Sequence, residues 1–277
     1  MKQLMLPCGE CVPALGQGTW YLGDDPDVRE QEIAALQAGI DHGMSLIDTA
    51  EMYGNGRAER LVGRAIANRR DEVFLVSKVL PSNAGREAAR AACEASLARL
   101  GTDHLDLYLL HWQGGVPYAQ TIEAFERLQA EGKIRHFGIS NLDLAATRAF
   151  VDTPGGEAIQ VNQLLYNLAQ RGIEWELLPW LDERGLATMA YSPFDGGDLI
   201  RDPALNAFAR ARDMTPGQAA LAWLLSRDRV LPIPKSASRE RVIENARALE
   251  IELSAEDLAE LDRLYAPPAG PTSLQIY

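Results

Sequence analysis

The chain has 277 residues, 47% of them hydrophobic, which is enough to bury the core of one large α/β domain spanning 1–277. Its formal net charge of -12 repels nucleic acids and anionic membrane surfaces, so neither is an expected partner. The sequence contains no run of about 18 apolar residues and no signal-peptide pattern, so we expect a cytoplasmic protein.

The first predicted element is a short β-hairpin over about residues 2–13. It contains Cys8 and Cys11 in a C-x-x-C motif, a spacing that also occurs in redox pairs and zinc sites. A redox pair requires a helix after a βαβ strand, and a zinc site requires a second pair of ligands. The intervening Gly9 and Glu10 favour a turn instead, so we interpret the motif as part of the hairpin and assign no metal ligand.

Strand-like and helix-like segments alternate after the hairpin, which is typical of a parallel α/β fold. The first unit runs from Leu15 to Gly18 and then into a helix, at whose start Asp27 and Glu30 match a capping box. Seven further strands are predicted at 45–48, 73–78, 105–110, 134–139, 158–162, 187–191 and 230–233. The helices that follow them are predicted at 58–67, 85–100, 119–131, 143–150, 175–184, 216–226 and 239–248.

Eight such units close into a (β/α)8 barrel more readily than they form an open sheet at this length. Two predicted helices exceed the repeat. One covers 203–213, and the other is an amphipathic helix whose start is capped by Ser254. The predicted fold is therefore α/β, a (β/α)8 TIM barrel with an N-terminal β-hairpin and two extra helices.

Polar residues follow three of the predicted strands. Asp48, Lys78 and His111 each end an apolar run, and Tyr53 lies in the loop after Asp48. The C-terminal ends of all strands in a parallel barrel lie on the same face. These four residues are therefore expected to lie close together. Each alone is more often a cap, a solvated charge or a packing residue, so the functional interpretation depends on their joint placement.

The four side chains together suit one kind of chemistry. A lysine ammonium beside the Tyr53 hydroxyl is expected to lower the tyrosine pKa from about 10 and make it a usable proton donor. Asp48 supplies the counter-charge of Lys78, and a neutral His111 orients a carbonyl. No nucleophile accompanies them, so acyl transfer is disfavoured and protonation of an oxygen that becomes an alcohol is favoured.

The sequence around these residues resembles the aldo-keto reductase superfamily over nearly the whole chain, from Gly16 to about Tyr265. Several independent motifs occur in the same order, which makes a chance match negligible. The motifs are DTAEMYGNG from Asp48, VSK ending at Lys78, LYLLHW around His111, GKIR and GISN ending at Asn141, VNQ ending at Gln163, AYSP around Tyr191, and IPKS ending at Ser236 with Arg241, Glu244 and Asn245 after it.

The resemblance implies an enzyme that reduces aldehydes and ketones with NADPH on a (β/α)8 barrel. It implies that Tyr53 is the general acid, that Asp48 and Lys78 tune it, and that His111 orients the carbonyl. The residues that it implies at the cofactor are Gly18, Thr19, Trp20, Asp48, Ser140, Asn141, Gln163, Tyr191, Ser192, Lys235, Ser236, Ser238, Arg241, Glu244 and Asn245.

Within that cofactor set, the resemblance implies that Ser140, Asn141 and Gln163 hold the nicotinamide carboxamide and that Tyr191 stacks on the ring. The sequence contains no G-x-G-x-x-G after a strand, so an ordinary Rossmann mode of binding is not indicated.

A binding site for a phosphate of the cofactor is also indicated by the residues themselves, independently of the family resemblance. Lys235 and Arg241 bracket the start of a predicted helix, with the hydroxyls of Ser236 and Ser238 between them. Charges and hydroxyls beside helix-terminal N–H groups form a local anion site, which an acidic protein otherwise lacks.

Aromatic residues predict the substrate class. The expected substrate-binding residues are Trp20, Tyr53, His111 and Trp112. The segment 113–117 and the tail are short, which favours a compact pocket for small carbonyl compounds. The segment from Gly16 together with that from Asp48 is most similar to bacterial reductases of methylglyoxal and other small aldehydes. A monomer is expected.

Two other interpretations stay open. A non-catalytic, NADPH-binding sensor or regulatory subunit of the same fold is disfavoured by the intact tetrad, Asp48, Tyr53, Lys78 and His111, because a binder has no need of an acid-tuning pair. A metal-dependent barrel hydrolase needs several ligands at strand ends, whereas His42, His104 and His136 fall on helix, turn and strand-start positions.

Overall fold

The computed structural model describes residues 2–277 and contains eight parallel strands that form a nearly closed barrel. The backbone N–H of Gly18 donates to the carbonyl of Pro234 at 3.0 Å, so the first barrel strand lies beside the segment after the last. The predicted (β/α)8 fold is confirmed. The strands are β1 (Gln3–Met5) and β2 (Cys11–Pro13) of the hairpin, then β3 (Gly16–Gly18), β4 (Leu46–Asp48), β5 (Phe74–Val79), β6 (Leu105–Leu110), β7 (Ile134–Ser140), β8 (Val161–Leu165), β9 (Ala187–Tyr191) and β10 (Val230–Pro232) of the barrel.

The helices surround the barrel, and the two predicted extra helices are present as α8 and α11. A four-residue helix, α7, precedes α8 and was not predicted. No helix in residues 2–277 is long and apolar enough to cross a membrane. The helices are α1 (Arg29–Asp41), α2 (Arg57–Ile66), α3 (Arg86–Leu100), α4 (Tyr118–Ala130), α5 (Leu144–Val151), α6 (Leu177–Glu183), α7 (Asp198–Arg201), α8 (Pro203–Arg210), α9 (Pro216–Leu225), α10 (Arg239–Ala246) and α11 (Ala255–Leu264).

Side chains along each barrel strand alternate between the interior and the helix layer. In β5, Phe74 and Val76 belong to the cluster inside the barrel, whereas Leu75 and Val79 pack with the helices. Lys78 continues the inward series at the carboxyl end of the strand. The same parity turns Asp48 inward on β4, so strand register carries both side chains to one face.

The N-terminal hairpin closes the other end of the barrel. Its Leu4, Leu6 and Val12 pack against the interior cluster, which includes Leu46 and Phe74 at the amino ends of their strands. The hairpin and the tetrad therefore lie at opposite ends of the molecule.

Two local predictions were wrong. The strand predicted at 158–162 is Val161–Leu165, because Gly156–Ala158 forms a 3-10 turn and delays the start of pairing. Asp27 and Glu30 do not form a capping box. A 3-10 turn begins at Pro26 with Asp25 as its cap, because proline favours the first position of a helical turn. The cap at Ser254 is confirmed, with Asp257 completing a capping box.

Candidate active site

Lys78 is the centre of the site. Its ammonium donates to Asp48 Oδ2 at 2.7 Å, to the carbonyl of Thr49 at 2.9 Å and to the Tyr53 hydroxyl at 3.0 Å. An ammonium has three N–H groups, so every donor has a partner. Lys78 is 0% exposed and Asp48 is 2% exposed, and a buried ion pair of this kind is tolerated only when its hydrogen bonds are satisfied.

Tyr53 lies in the loop after β4, immediately before a short left-handed segment. Tyr53 begins a 3-10 turn over Tyr53–Gly56, in which Asn55 has a φ of 53° and Gly56 a φ of 81°. Glycine tolerates this region without steric cost, and asparagine tolerates it better than most residues. The turn places the phenol above Lys78, whose Nζ is 4.7 Å from the ring centroid.

The pKa of Tyr53 differs from the sequence-based expectation. Burial, together with the charge of Asp48, raises the pKa of Tyr53 above its ordinary value, although the charge and the hydrogen bond of Lys78 lower it. The expected direction of the Lys78 effect is right, but the expected net shift is wrong, because burial disfavours a phenolate. Tyr53 is therefore protonated near neutral pH, which is the form that a proton donor requires.

The lysine itself remains charged. Burial opposes the charge, but Asp48 and Tyr53 outweigh that effect and raise the pKa of Lys78 above its ordinary value. The tetrad thus contains a permanent cation next to the phenol.

His111 completes the group from the end of β6. Its ring meets that of Tyr53 edge-on, with centroids 5.7 Å apart. Burial, and to a lesser extent the charge of Lys78, lowers the pKa of His111 to about 2. The ring is neutral at physiological pH, which is the condition that the sequence-based role of His111 required, so it carries one N–H donor. Its Nδ1 is buried without a hydrogen-bond partner among residues 2–277.

Aromatic side chains surround the tetrad on its open side. Trp20 stacks on Tyr21 with centroids 4.7 Å apart and lies 6.4 Å from the ring of Tyr53. Trp112 lies 4.8 Å from His111. Trp20 is 37% exposed and Tyr21 is 61% exposed, so the aromatic group forms a mouth rather than a closed chamber.

Amide and hydroxyl groups meet beside the tetrad at the ends of β7 and β8. Gln163 donates from its amide to Asp48 Oδ1 at 2.8 Å, and the Ser140 hydroxyl donates to the carbonyl of Gln163 at 3.0 Å. The Tyr191 hydroxyl donates to Asn141 Oδ1 at 2.9 Å. The structure thus brings together the residues predicted at the carboxamide.

The neighbouring residues of the predicted cofactor set have backbone roles. The Thr19 hydroxyl donates to the carbonyl of Asp48 at 2.9 Å, which fixes the end of β3 against β4. A Cβ on Gly18 would lie 2.9 Å from the carbonyl oxygen of Ile233, so a side chain there would collide with the backbone. Ser192 has a φ of 50°, in the left-handed region.

The predicted phosphate site lies at the start of α10. Ser238 is the N-cap and accepts from the N–H of Arg241 at 3.3 Å, while the Ser236 hydroxyl accepts from the N–H of Ser238 at 3.1 Å. Lys235 and Arg241 are exposed, and within residues 2–277 neither forms a salt bridge. Two cations without a salt bridge therefore lie beside this helix N-terminus, where the Ser238 hydroxyl also donates to the Glu240 carboxylate at 2.7 Å.

Two further predicted residues have other partners. Glu244 accepts from the Thr215 hydroxyl at 2.6 Å, and Gln218 donates to its backbone carbonyl at 3.2 Å. Asn245 is buried. These contacts join α10 to the start of α9.

The tail makes a contact that was not predicted from the sequence. The hydroxyl of Tyr277 donates to Asp195, in the loop after β9, and the Tyr191 side chain lies close enough to influence the pKa of Tyr277. No local signal in the sequence predicts this contact, since 82 residues separate Tyr277 from Asp195. The end of the chain therefore lies beside the predicted cofactor site.

Comparison with known proteins decides the family. Residues 14–266 match the model of the aldo/keto reductase family. The chain belongs to this family. Methylglyoxal reductase YeaE of Escherichia coli (strain K12) is 49% identical over 270 residues, 96% of this chain and 95% of that protein. Glyoxal reductase of Bacillus subtilis (strain 168) is 33% identical over 253 residues, 91% of this chain and 89% of that protein.

A solved structure agrees with the assignment. The aldo/keto reductase of Klebsiella pneumoniae in complex with NADP and acetate has a TM-score of 0.97 and 50% sequence identity, and the match covers 100% of this chain and 99% of that one. The predicted resemblance to aldo-keto reductases and the oxidoreductase class are confirmed.

Proposed function

We propose that this aldo-keto reductase reduces small aldehydes and ketones, such as methylglyoxal and aromatic aldehydes, to alcohols at the expense of NADPH. The observation that carries the proposal is the buried Lys78, which joins Asp48 to the hydroxyl of Tyr53 beneath an aromatic mouth. The relatives named for reduction of methylglyoxal and glyoxal support the substrate class.

The chain's own groups fit NADPH. The amides of Asn141 and Gln163 with the hydroxyl of Ser140 offer both donors and acceptors, which a carboxamide requires. Lys235 and Arg241 offer unpaired positive charge at a helix N-terminus, which a phosphate requires. When bound, the cofactor supplies the hydride.

Tyr53 donates the proton to the carbonyl oxygen of the substrate. Its phenol is protonated near neutral pH and lies 3.0 Å from the ammonium of Lys78, which stabilises the negative charge that develops as the proton leaves. A neutral His111 donates a hydrogen bond to the carbonyl oxygen and orients it toward Tyr53. Trp20, Tyr53, His111 and Trp112 hold the substrate.

At the level of the whole molecule, we propose one domain over 1–277, a monomeric cytoplasmic protein and no nucleic-acid or membrane partner. The charge of -12 supports the last point, because it repels polyanions. The alternative function is a non-catalytic NADPH-binding sensor or regulatory member. The satisfied Asp48–Lys78–Tyr53 network disfavours it, since cofactor binding alone does not need a buried acid-tuning pair.

The test is turnover of an aldehyde panel with NADPH and NADH in parallel, for wild type, Tyr53→Phe and Tyr21→Phe. We expect Tyr53→Phe to lose at least 99% of turnover, because general acid catalysis contributes about 100-fold or more, while NADPH affinity stays within a few-fold. Tyr21→Phe is the matched control at the same mouth. More than a tenth of wild-type turnover in Tyr53→Phe would contradict the acid role, and NADPH binding without any turnover in wild type would favour the sensor.

A further inference from the structure

A cysteine, a glutamate and a histidine converge at the end of the barrel opposite the tetrad. Cys8 and Glu10 flank Gly9 in the hairpin turn, and His136 lies near the start of β7. The thiol sulfur, a carboxylate oxygen and a ring nitrogen all lie within 4.8 Å of one another. The proposed reductase chemistry uses none of these groups.

We propose that Cys8, Glu10 and His136 bind one Zn²⁺ ion, with water in the fourth position. In a tetrahedral site, zinc bond lengths of about 2.3 Å to sulfur and about 2.05 Å to nitrogen put those two atoms about 3.6 Å apart. The structure has Cys8 Sγ 3.7 Å from His136 Nε2. A thiolate, an imidazole and a carboxylate are each established zinc ligands.

The carboxylate needs only a small adjustment. Glu10 Oε2 lies 2.7 Å from His136 Nε2, which is a hydrogen bond. A tetrahedral site places those two atoms about 3.4 Å apart, so the oxygen must move by roughly 0.7 Å. The Cys8 sulfur and the carboxylate oxygen lie within 4.8 Å of each other, against about 3.6 Å in a tetrahedral site, so these two atoms must also approach by up to about 1.2 Å.

The same distances argue against a nucleophilic triad. A triad uses one nitrogen of histidine for the thiol and the other for the carboxylate. Here the thiol and the carboxylate both approach Nε2 of His136. Three ligand atoms that converge on one point suit a cation rather than a relay of protons.

The ligands are held before any ion binds. The turn is closed by hydrogen bonds from Leu6 N to the Glu10 carbonyl and from Gly9 N to the Leu6 carbonyl, both 2.9 Å. The backbone N–H of Cys8 donates to Gln160 Oε1 at 2.9 Å, and Arg135 donates to Glu10 Oε1 at 2.7 Å. Outer contacts of this kind orient metal ligands.

The site is also accessible. Cys8 is exposed, whereas Glu10 and His136 are half-buried, so an ion has a path from solvent. Arg135 adds a positive charge nearby, which two anionic ligands offset. Cys8, Glu10 and His136 line a surface cavity with Gln129, Gly132, Ile134 and Arg135.

The C-x-x-C motif predicted no metal site, because no second pair of ligands follows it in the sequence. The fold supplies His136 from 128 residues away and leaves Cys11 outside the cluster. Zinc would tie the hairpin to β7 and so stabilise the closed end of the barrel. Turnover would not depend on it, since the tetrad lies at the other end.

The test titrates Zn²⁺ into the reduced, chelator-stripped full chain against a chromophoric chelator, and Co²⁺ in parallel. We expect one ion per chain, a thiolate-to-cobalt charge-transfer band, and a rise in Tm of a few degrees with saturating zinc. Cys8→Ser and His136→Gln should each weaken zinc at least tenfold and abolish the rise in Tm. Cys11→Ser is the matched control and should bind like wild type, with circular dichroism to check the fold of each variant.

Several results would overturn the site. These are no saturable binding in wild type, equal affinity in Cys8→Ser and wild type, or loss of binding in Cys11→Ser as large as in Cys8→Ser. Turnover that depends on zinc would contradict the separation from the tetrad. The binding and Tm readouts do not depend on reductase activity, so they stand whether or not the proposed function does.

Discussion

The charge of Lys78 and its hydrogen bond to Tyr53 oppose the effect of burial on the proposed acid. Lys78 lowers the pKa of Tyr53 through its charge and its hydrogen bond, while burial and Asp48 raise it. Removal of the ammonium removes the only one of these influences that favours the phenolate. The lysine therefore links a packing feature, a buried cation, to a measurable property of the reaction.

We predict that Lys78→Met lowers kcat about as much as Tyr53→Phe. The activity that remains should lose its alkaline limb at a higher pH than in wild type. The direction follows because the phenol of Tyr53 then titrates at a higher pH. The measurement is kcat against pH at saturating cofactor. Lys78→Met alone leaves the Asp48 carboxylate buried without a counter-charge, so the double variant Lys78→Met/Asp48→Asn is the control. Substantial turnover of Lys78→Met with an unshifted alkaline limb would show that Lys78 does not tune Tyr53.

His111 makes stability depend on pH. Its pKa is about 2 in the folded protein and about 6.5 in the unfolded chain. Below pH 6.5 the unfolded state binds one more proton at this residue, so acid favours unfolding. The stabilisation is fully present above pH 6.5 and is lost as the pH falls toward the folded pKa.

We expect this group to lower the free energy of unfolding by about 1.4 kcal/mol for each pH unit below about 6. Urea unfolding of wild type and His111→Asn between pH 7.5 and pH 4.5 measures the difference in slope. His42→Gln, at the C-terminal end of α1, is the matched control. Equal slopes for wild type and His111→Asn would mean that His111 is charged in the folded state.

At the scale of elements, the loop from β10 to α10 combines a helix N-terminus with two unpaired cations. Ser238 caps the helix, and Lys235 precedes it by four positions along the chain. Glu244 on the same helix bonds to Thr215 at the start of α9, which fixes α10 in place. A fixed cap with free charge is suited to an anion rather than to packing.

We predict that Lys235→Met weakens NADPH binding by about 10- to 150-fold and hardly changes NADH binding, because only NADPH carries the extra phosphate. Turnover at saturating cofactor should fall far less, since the tetrad is intact. Fluorescence titration with both cofactors measures this, with Arg239→Met as the exposed control on α10. An equal loss for both cofactors would make Lys235 structural.

At the scale of the whole molecule, few loop residues surround the face of the barrel that carries the tetrad. Seven residues, 111–117, connect β6 to α4, and the aromatic mouth is partly exposed. Residues 271–275 of the tail lie beside the starts of α5 and α6, and Tyr277 donates to Asp195, so these contacts do not reach the aromatic mouth. A small substrate can fill such a mouth, whereas a large apolar one would leave much of its surface in water.

We therefore predict a higher kcat/KM for methylglyoxal and short aromatic aldehydes than for steroids and other bulky ketones. Steady-state kinetics with matched NADPH concentrations measure the ratio, and Trp20→Ala tests whether the aromatic mouth contributes to it. A preference for steroids would overturn the pocket argument and leave the reductase class in place.

The barrel and most of the candidate site could be predicted from the amino-acid sequence alone. Hydrophobic alternation and helical spacing are local, so they predicted the strand and helix order. The C-terminal ends of all strands in a parallel barrel lie on one face, so Asp48, Lys78 and His111 could be expected to lie close together. The motifs around them were specific enough to predict the family that the comparisons confirmed.

Properties that depend on many neighbours at once became visible only in the folded chain. The net shift of the Tyr53 pKa needed the degree of burial, which is a sum over packed atoms from several strands. The Cys8–His136 cluster and the Tyr277–Asp195 contact join residues 128 and 82 positions apart. Local pattern carries no information about such pairs, because the closing of the barrel and the docking of its ends bring them together.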